Sequence, residues 1–193
     1  MTQIEEIIQE TRRTLVCVFA DVDTWFEKPA DLRDFRPPTN GWTINEVLEH
    51  ISLTSHFLLI LIDKAVTKAL KNVNNLNLTQ ELADYHFEKE KLDEVGLYKS
   101  FEWIRPEHMD PTGQVPLVQV RETIQNQLNR CLEHLQNMPN GEGVLYKTTM
   151  TVNNLGKIDV YEYIYFLAKH AERHIAQMER NEQEFAQKQT FAQ

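Results

Sequence analysis

At 193 residues the chain is long enough to bury a sizeable core as one domain without disulfide staples. Its make-up, 41% hydrophobic and 25% charged with few glycines and prolines, is that of a globular protein rather than a disordered or fibrous one. A net charge of −9, with no basic block, repels nucleic-acid phosphates and argues against DNA or RNA as a partner.

The chain opens on MTQIEEIIQETRR, acidic and amphipathic, which lacks the cationic start and apolar centre of a secretory signal. Ile4, Ile7, Ile8, Thr11, Leu15, Val18, Phe19 and Val22 recur at threes and fours and predict a first long helix over about 3–26. Cys17 flanks that stripe as a small packing residue. Cys17 and Cys131 are the whole cysteine content and both fall in helical patterns, so no disulfide framework is expected. Pro29 and the run Pro37-Pro38-Thr39-Asn40-Gly41 break the helix. Trp42-Thr43-Ile44-Asn45-Glu46 then reads as a capping box, with Thr43 the cap and Glu46 the third helical residue. It starts a second long helix through about Val73, with Ile44, Val47, Leu48, Ile51, Leu58, Leu61, Ile62 and Ala65 inward. The apolar run Phe57–Ile62 within it is far short of the roughly 20 residues of a membrane span.

Residues 74–116 form a long connection, and connections of that length carry structure or function of their own. Leu78–Asp93 is expected to hold a helix capped by Thr79. The aromatic, proline-punctuated stretch Phe101–Gly113 is expected to lid one end of the helices. A third helix follows near 117–138, with Val120, Ile124, Leu128, Cys131 and Leu135 as its stripe and Pro139-Asn140-Gly141 as its stop. Val144–Val152 is β-branched and free of breakers, so extended chain is expected there, turned by Asn153-Asn154-Leu155-Gly156. Asp159 and Glu162 pair as the cap of a fourth helix, whose polar tail is expected to fray after about Glu184. Four long amphipathic helices with little strand signal make the class all-α and the architecture a four-helix bundle, one domain over 1–193. The long connection between the second and third helices leaves the topology open.

The fourth helix carries the chemistry. Its inward stripe includes His170 and His174, four residues apart and so about 6 Å apart along the axis on one face. Two imidazoles converging from one turn are half of a transition-metal site. His50, between Val47 and Thr54 on the buried side of the second helix, is the candidate for the other half. Each histidine also has a plainer reading as a hydrogen-bonded core residue, and pattern alone leaves both readings open. His56 points to another sector of its helix, and His134 borders the third stripe. His86 and His108 sit in the connection, where His108 could overhang the site. A ligand's free ring N–H needs an acceptor. Glu46 and Gln177 are within reach, against plainer roles as a capping partner and a solvated residue. Arg173 is expected to pair with an exposed acid, and Trp42 to sit in the core. No Glu-x-x-His pair occurs, whereas a di-iron carboxylate site needs two.

Gly41–Ile51, GWTINEVLEHI, resembles the GWS-x-x-EVL-x-H-L element of the DinB-like (YfiT-like) metalloprotein superfamily. Leu155-Gly156-Lys157-Ile158 followed by Phe166–Met178, FLAKHAERHIAQM, resembles its closing G…H-x-x-R-H-x-x-Q element. The likeness runs over about 5–180, with the two motifs in the right order. It implies a four-helix bundle, commonly dimeric, in which one histidine of the second helix and two of the fourth hold a divalent metal. By position these are His50, His170 and His174.

Three neutral imidazoles leave a further coordination position open, as catalytic sites do. Imidazole suits Zn, Ni, Cu and Fe, and the expected cofactor is a divalent transition metal: Zn, Ni, Mn or Fe. Relatives implied by the resemblance include transferases and isomerases that use low-molecular-weight thiols, and a few hydrolases. The expected function is therefore a metal-dependent enzyme in which a thiol or water, deprotonated at the metal, attacks a small electrophile. That would make it an S-transferase or a hydrolase, with no catalytic base identified beyond the ligands. Phe101 and Trp103 are candidates to enclose an apolar substrate, against the plainer role of packing over the helix ends. The alternative is a dimeric, non-catalytic stress-response or binding module with a structural or absent metal. A small-molecule substrate, no nucleic acid, no membrane, a homodimer and a cytoplasmic location complete the expectation.

Overall fold

The computed structural model describes residues 2–38, 40–98, 100–101 and 107–191. The molecule is mostly helical, and three of its long helices begin at reciprocal caps written in the sequence. Helix α1 (Gln3–Thr24) starts where the Thr2 hydroxyl accepts from the Glu5 N–H and Glu5 returns a bond to the Thr2 N–H. One turn, α2 (Ala30–Arg33), follows. Helix α3 (Ile44–Asn72) repeats the device: Thr43 Oγ1 accepts from Glu46 N at 3.2 Å, and Glu46 Oε2 accepts from Thr43 N at 2.8 Å. After the short α4 (Leu78–Ala83) and α5 (Lys89–Gly96) comes α6 (Leu117–Asn137). Strands β1 (Thr148–Met150) and β2 (Gly156–Ile158) form an antiparallel hairpin with Met150 opposite Gly156. Helix α7 (Val160–Phe191) is capped by Asp159, whose Oδ1 accepts from Tyr161 N and Glu162 N, while Glu162 Oε2 accepts from Asp159 N.

Helix α7 is the axis of the packing. It lies against α1, α3 and α5, and α6 closes on α1 and α3. Its residues Tyr161, Ile164, Leu167 and Ala168 are buried together with Leu15 of α1, Ile62 of α3 and Leu135 of α6. Each large apolar side chain so buried contributes about 1.5–3 kcal/mol, so the stripes read from sequence supply most of the cohesion. None of the described helices is long and apolar enough to cross a membrane.

Four local expectations are corrected. The helix expected over 78–93 is two helices, and its cap is Asn77, whose side chain accepts from Gln80 N, rather than Thr79. Between the two, Tyr85 and Phe87 both turn into the core, an alternation that a helix cannot provide. The tail does not fray after Glu184: α7 continues to Phe191, with the Phe185 ring on Phe35 at 5.4 Å and Lys188 over the same ring. Strand pairing in the 144–152 stretch is confined to β1, because Glu142–Leu145 forms a 3-10 turn that buries Val144 and Leu145. Cys17 is exposed rather than packed, while Cys131 is buried, and both are free thiols.

Candidate metal centre

The helical period of α7 places His170 and His174 on one face, and α3, packed alongside, brings His50 against them. All three are buried, and one nitrogen from each lies within 4.8 Å of the other two. The His170 and His174 Nε2 atoms are 3.2 Å apart, and the ring centroid of His50 lies 4.7 Å from that of His174. Among the described residues this is the one group of His, Cys, Asp and Glu side chains close enough to hold a single ion.

What the other ring nitrogens do decides whether these histidines can be ligands. His50 Nδ1 donates to the Met109 carbonyl at 2.7 Å. His174 Nδ1 donates to Gln177 Oε1 at 2.9 Å. A carbonyl oxygen only accepts, so Nδ1 carries a proton in both rings, and in the neutral form of each the lone pair is on Nε2. His170 is held well below the ordinary imidazole pKa, first by burial and then by His174, His50 and Arg173, which keeps it neutral. Two imidazole nitrogens 3.2 Å apart need a shared proton or a shared cation. Tetrahedral metal–imidazole bonds of about 2.0–2.1 Å put donor atoms about 3.3 Å apart, so the spacing fits a metal. The all-nitrogen donor set suits a divalent transition ion and not calcium or magnesium, which take oxygen.

In front of the histidines opens a cavity of about 610 Å³. Leu58, Leu61, Met150, Val152 and Phe166 make its walls largely apolar. The hairpin forms one side and is fastened to α7 by the Tyr163 hydroxyl, which donates to the Thr149 carbonyl at 3.2 Å. The Thr54 hydroxyl stands 3.4 Å from His50 Nε2. A smaller cavity of about 340 Å³ adjoins it, sharing Gly41, Arg173 and Gln177 and adding Arg180 and Asn181.

The structure sorts the other candidates. Glu46 is the capping partner: burial works to raise its pKa, but Arg36 and Thr43 outweigh that and hold it below the ordinary carboxylate range. Gln177 is the acceptor behind His174. Trp42, expected in the core, is half-buried on the cavity wall with its ring 4.6 Å from that of His50. Arg173 lines both cavities, donates to the Leu97 carbonyl and lies over the Phe101 ring. Phe101 is partly buried against the core, and Trp103 lies outside the described residues. His108 is exposed and packs edge-on to Phe57 rather than overhanging the histidines. His56 and His86 are exposed, and His134 pairs with Asp63.

Sequence reasoning missed Met109, Glu49 and the hairpin wall. Met109 acts through its backbone carbonyl, which no side-chain pattern reveals. Glu49, a charge on a helix, reads as solvated, yet it is 4% exposed.

No curated protein and no solved structure gives a significant match to the chain. The family model of the DinB superfamily matches residues 7–178, a span that includes all three histidines, and the chain belongs to that superfamily.

Proposed function

We propose that this protein is a metal-dependent enzyme built on a four-helix bundle of α1, α3, α6 and α7, with His50, His170 and His174 as the ligands of one divalent transition metal. The observation that carries the reading is the gathering of three buried histidines beside a cavity, with the Nδ1 atoms of His50 and His174 held by carbonyl acceptors. A metal held by three imidazoles supplies Lewis acidity at the positions the protein leaves open and favours deprotonation of a group bound there. The chain's own residues do the rest. Gln177 and the Met109 carbonyl orient two rings, Trp42 backs His50, and the apolar wall from Leu58 to Phe166 excludes water and receives an apolar small electrophile. The adjoining polar cavity, with Arg180 and Asn181, accepts the charged end of a low-molecular-weight thiol co-substrate. The reaction class is S-transfer to the electrophile, or its hydrolysis when water takes the place of the thiol. Assembly as a homodimer belongs to the same reading and is supported by superfamily membership.

The test loads the protein with zinc, nickel or manganese and assays an activated aryl halide with cysteine or glutathione, for wild type and His170→Ala. Metal-dependent turnover that disappears in a variant of unchanged melting temperature and assembly supports the enzyme. A variant that loses metal and falls apart as an oligomer supports a structural metal instead.

A further inference from the structure

Two neighbouring residues of α3, Glu49 and His50, are both held by one short piece of the long connection. A carboxylate as buried as Glu49 needs several donors to offset its lost hydration. It has three, all from one turn. Thr112 N and Thr112 Oγ1 donate to Oε1 at 2.8 and 2.9 Å, and Gly113 N donates to Oε2 at 2.8 Å. Two successive backbone N–H groups aimed at one anion require a special backbone, and Gly113 supplies it with φ +69°. A side chain at Gly113 would also press on Glu46, since a Cβ there would lie 3.3 Å from Glu46 Oε1. Pro111 stiffens the link back to Met109. Three residues before the anchored turn, the Met109 carbonyl accepts from His50 Nδ1 at 2.7 Å.

We infer that Glu49 is a positioning residue: by anchoring the Thr112–Gly113 turn it holds the Met109 carbonyl on Nδ1 of His50, which fixes the orientation and tautomer of that ring beside His170 and His174. The connection thereby sets the state of the α3 histidine, whereas the α7 histidine at position 174 is set from within its own helix by Gln177. Glu49 is not itself among the residues that could share the ion. The inference rests on the reading of the three histidines as a metal centre for its consequence, but not for its structural content.

The experiment is ¹⁵N NMR of histidine-labelled, metal-free protein, in which long-range proton–nitrogen correlations report which ring nitrogen carries the proton. It is paired with zinc titration calorimetry. Wild type is expected to show the Nδ1–H form at both His50 and His174. In Glu49→Gln the carboxamide cannot accept all three donors. His50 is then expected to become a mixture of forms while His174 is unchanged, and zinc affinity to fall about 10–100-fold, as loss of an outer-sphere partner does. Thr112→Val, which deletes one of the three donors, should shift His50 in the same direction by less, and Thr112→Ser should restore wild-type behaviour. If Glu49→Gln does not fold, the Thr112 pair decides. His50 remaining wholly Nδ1–H in the folded variants, with zinc affinity unchanged, would overturn the inference. A wild type that binds no zinc would overturn the metal reading alone, because the NMR comparison is made without metal.

Discussion

Helix α7 carries two buried polar clusters about two turns apart, and they are finished in opposite ways. At its N-terminal end, Asp159 Oδ1 accepts from the N–H groups of Tyr161 and Glu162, and the two Glu162 oxygens accept from those of Asp159 and Glu88, while Asp159 Oδ2 is buried without a hydrogen-bond partner among the described residues. The Tyr161 hydroxyl also bonds to backbone, donating to the Met138 carbonyl and accepting from Gly143 N. Further along, Nδ1 of His174 and of its partner His50 on α3 is held by a carbonyl oxygen in each case, and both rings lie against that of His170. The first cluster closes on the protein's own backbone and holds the fold. The second gathers one nitrogen from each of three histidines beside a cavity, which is what a ligand set needs. Burial alone does not distinguish them. The convergence of ring nitrogens from two helices on one point does.

The sharpest way to break this contrast is to remove a histidine. His170→Ala should abolish zinc binding at micromolar metal while the metal-free protein keeps its helical circular dichroism, since no backbone cap depends on the ring. A variant that unfolds would put the histidines in the same structural class as Asp159. Next in size is Gln177→Leu. It removes the acceptor behind His174 and should weaken zinc about 10–100-fold by calorimetry, with the metal-free melting temperature nearly unchanged. In the other cluster the pattern reverses. Tyr161→Phe strands the Met138 carbonyl and should cost about 1–3 kcal/mol in urea unfolding while leaving zinc affinity as it was. A change in affinity there would show that the two clusters are coupled.

The first cluster also produces a pH dependence. Burial, and then the charge of Glu162, push the Asp159 carboxyl up from its ordinary 3.8 to about 7. Because the folded-state value is the higher one, its contribution to stability is complete below about pH 4 and is lost as pH rises through about 7. Asp159→Asn keeps an oxygen for the helix cap and cannot ionise. Its stability in the metal-free protein should therefore fall less than that of wild type between pH 4 and pH 8, measured by urea unfolding at each pH. Parallel curves would remove Asp159 from that role.

How much of this was legible in the sequence follows from where each feature stores its information. The four long helices were readable because their apolar residues recur at threes and fours, and their starts because capping needs particular residues at fixed offsets, as at Thr43–Glu46 and Asp159–Glu162. His170 and His174 were readable for the same reason, and His50 because its neighbours Val47 and Thr54 fix its face. The cavity was not. Its wall at Met150 and Val152 comes from a hairpin whose position depends on tertiary packing, and Trp42 has one face on the core and one on the site, which composition cannot divide. Least legible was the clasp on His50. It is made by a backbone carbonyl and two backbone N–H groups, nearly 60 residues or more along the chain from the side chains they serve.

The most direct test of the central claim, that the histidine cluster is a metal site, is the metal content of protein purified without an affinity tag, measured by elemental mass spectrometry for wild type and His174→Ala. The expected result is about one divalent transition ion per chain in wild type and none in the variant. Wild type that holds no metal even after incubation with zinc, nickel and manganese would contradict it, and the three histidines would then be core residues like the acids at the other end of α7.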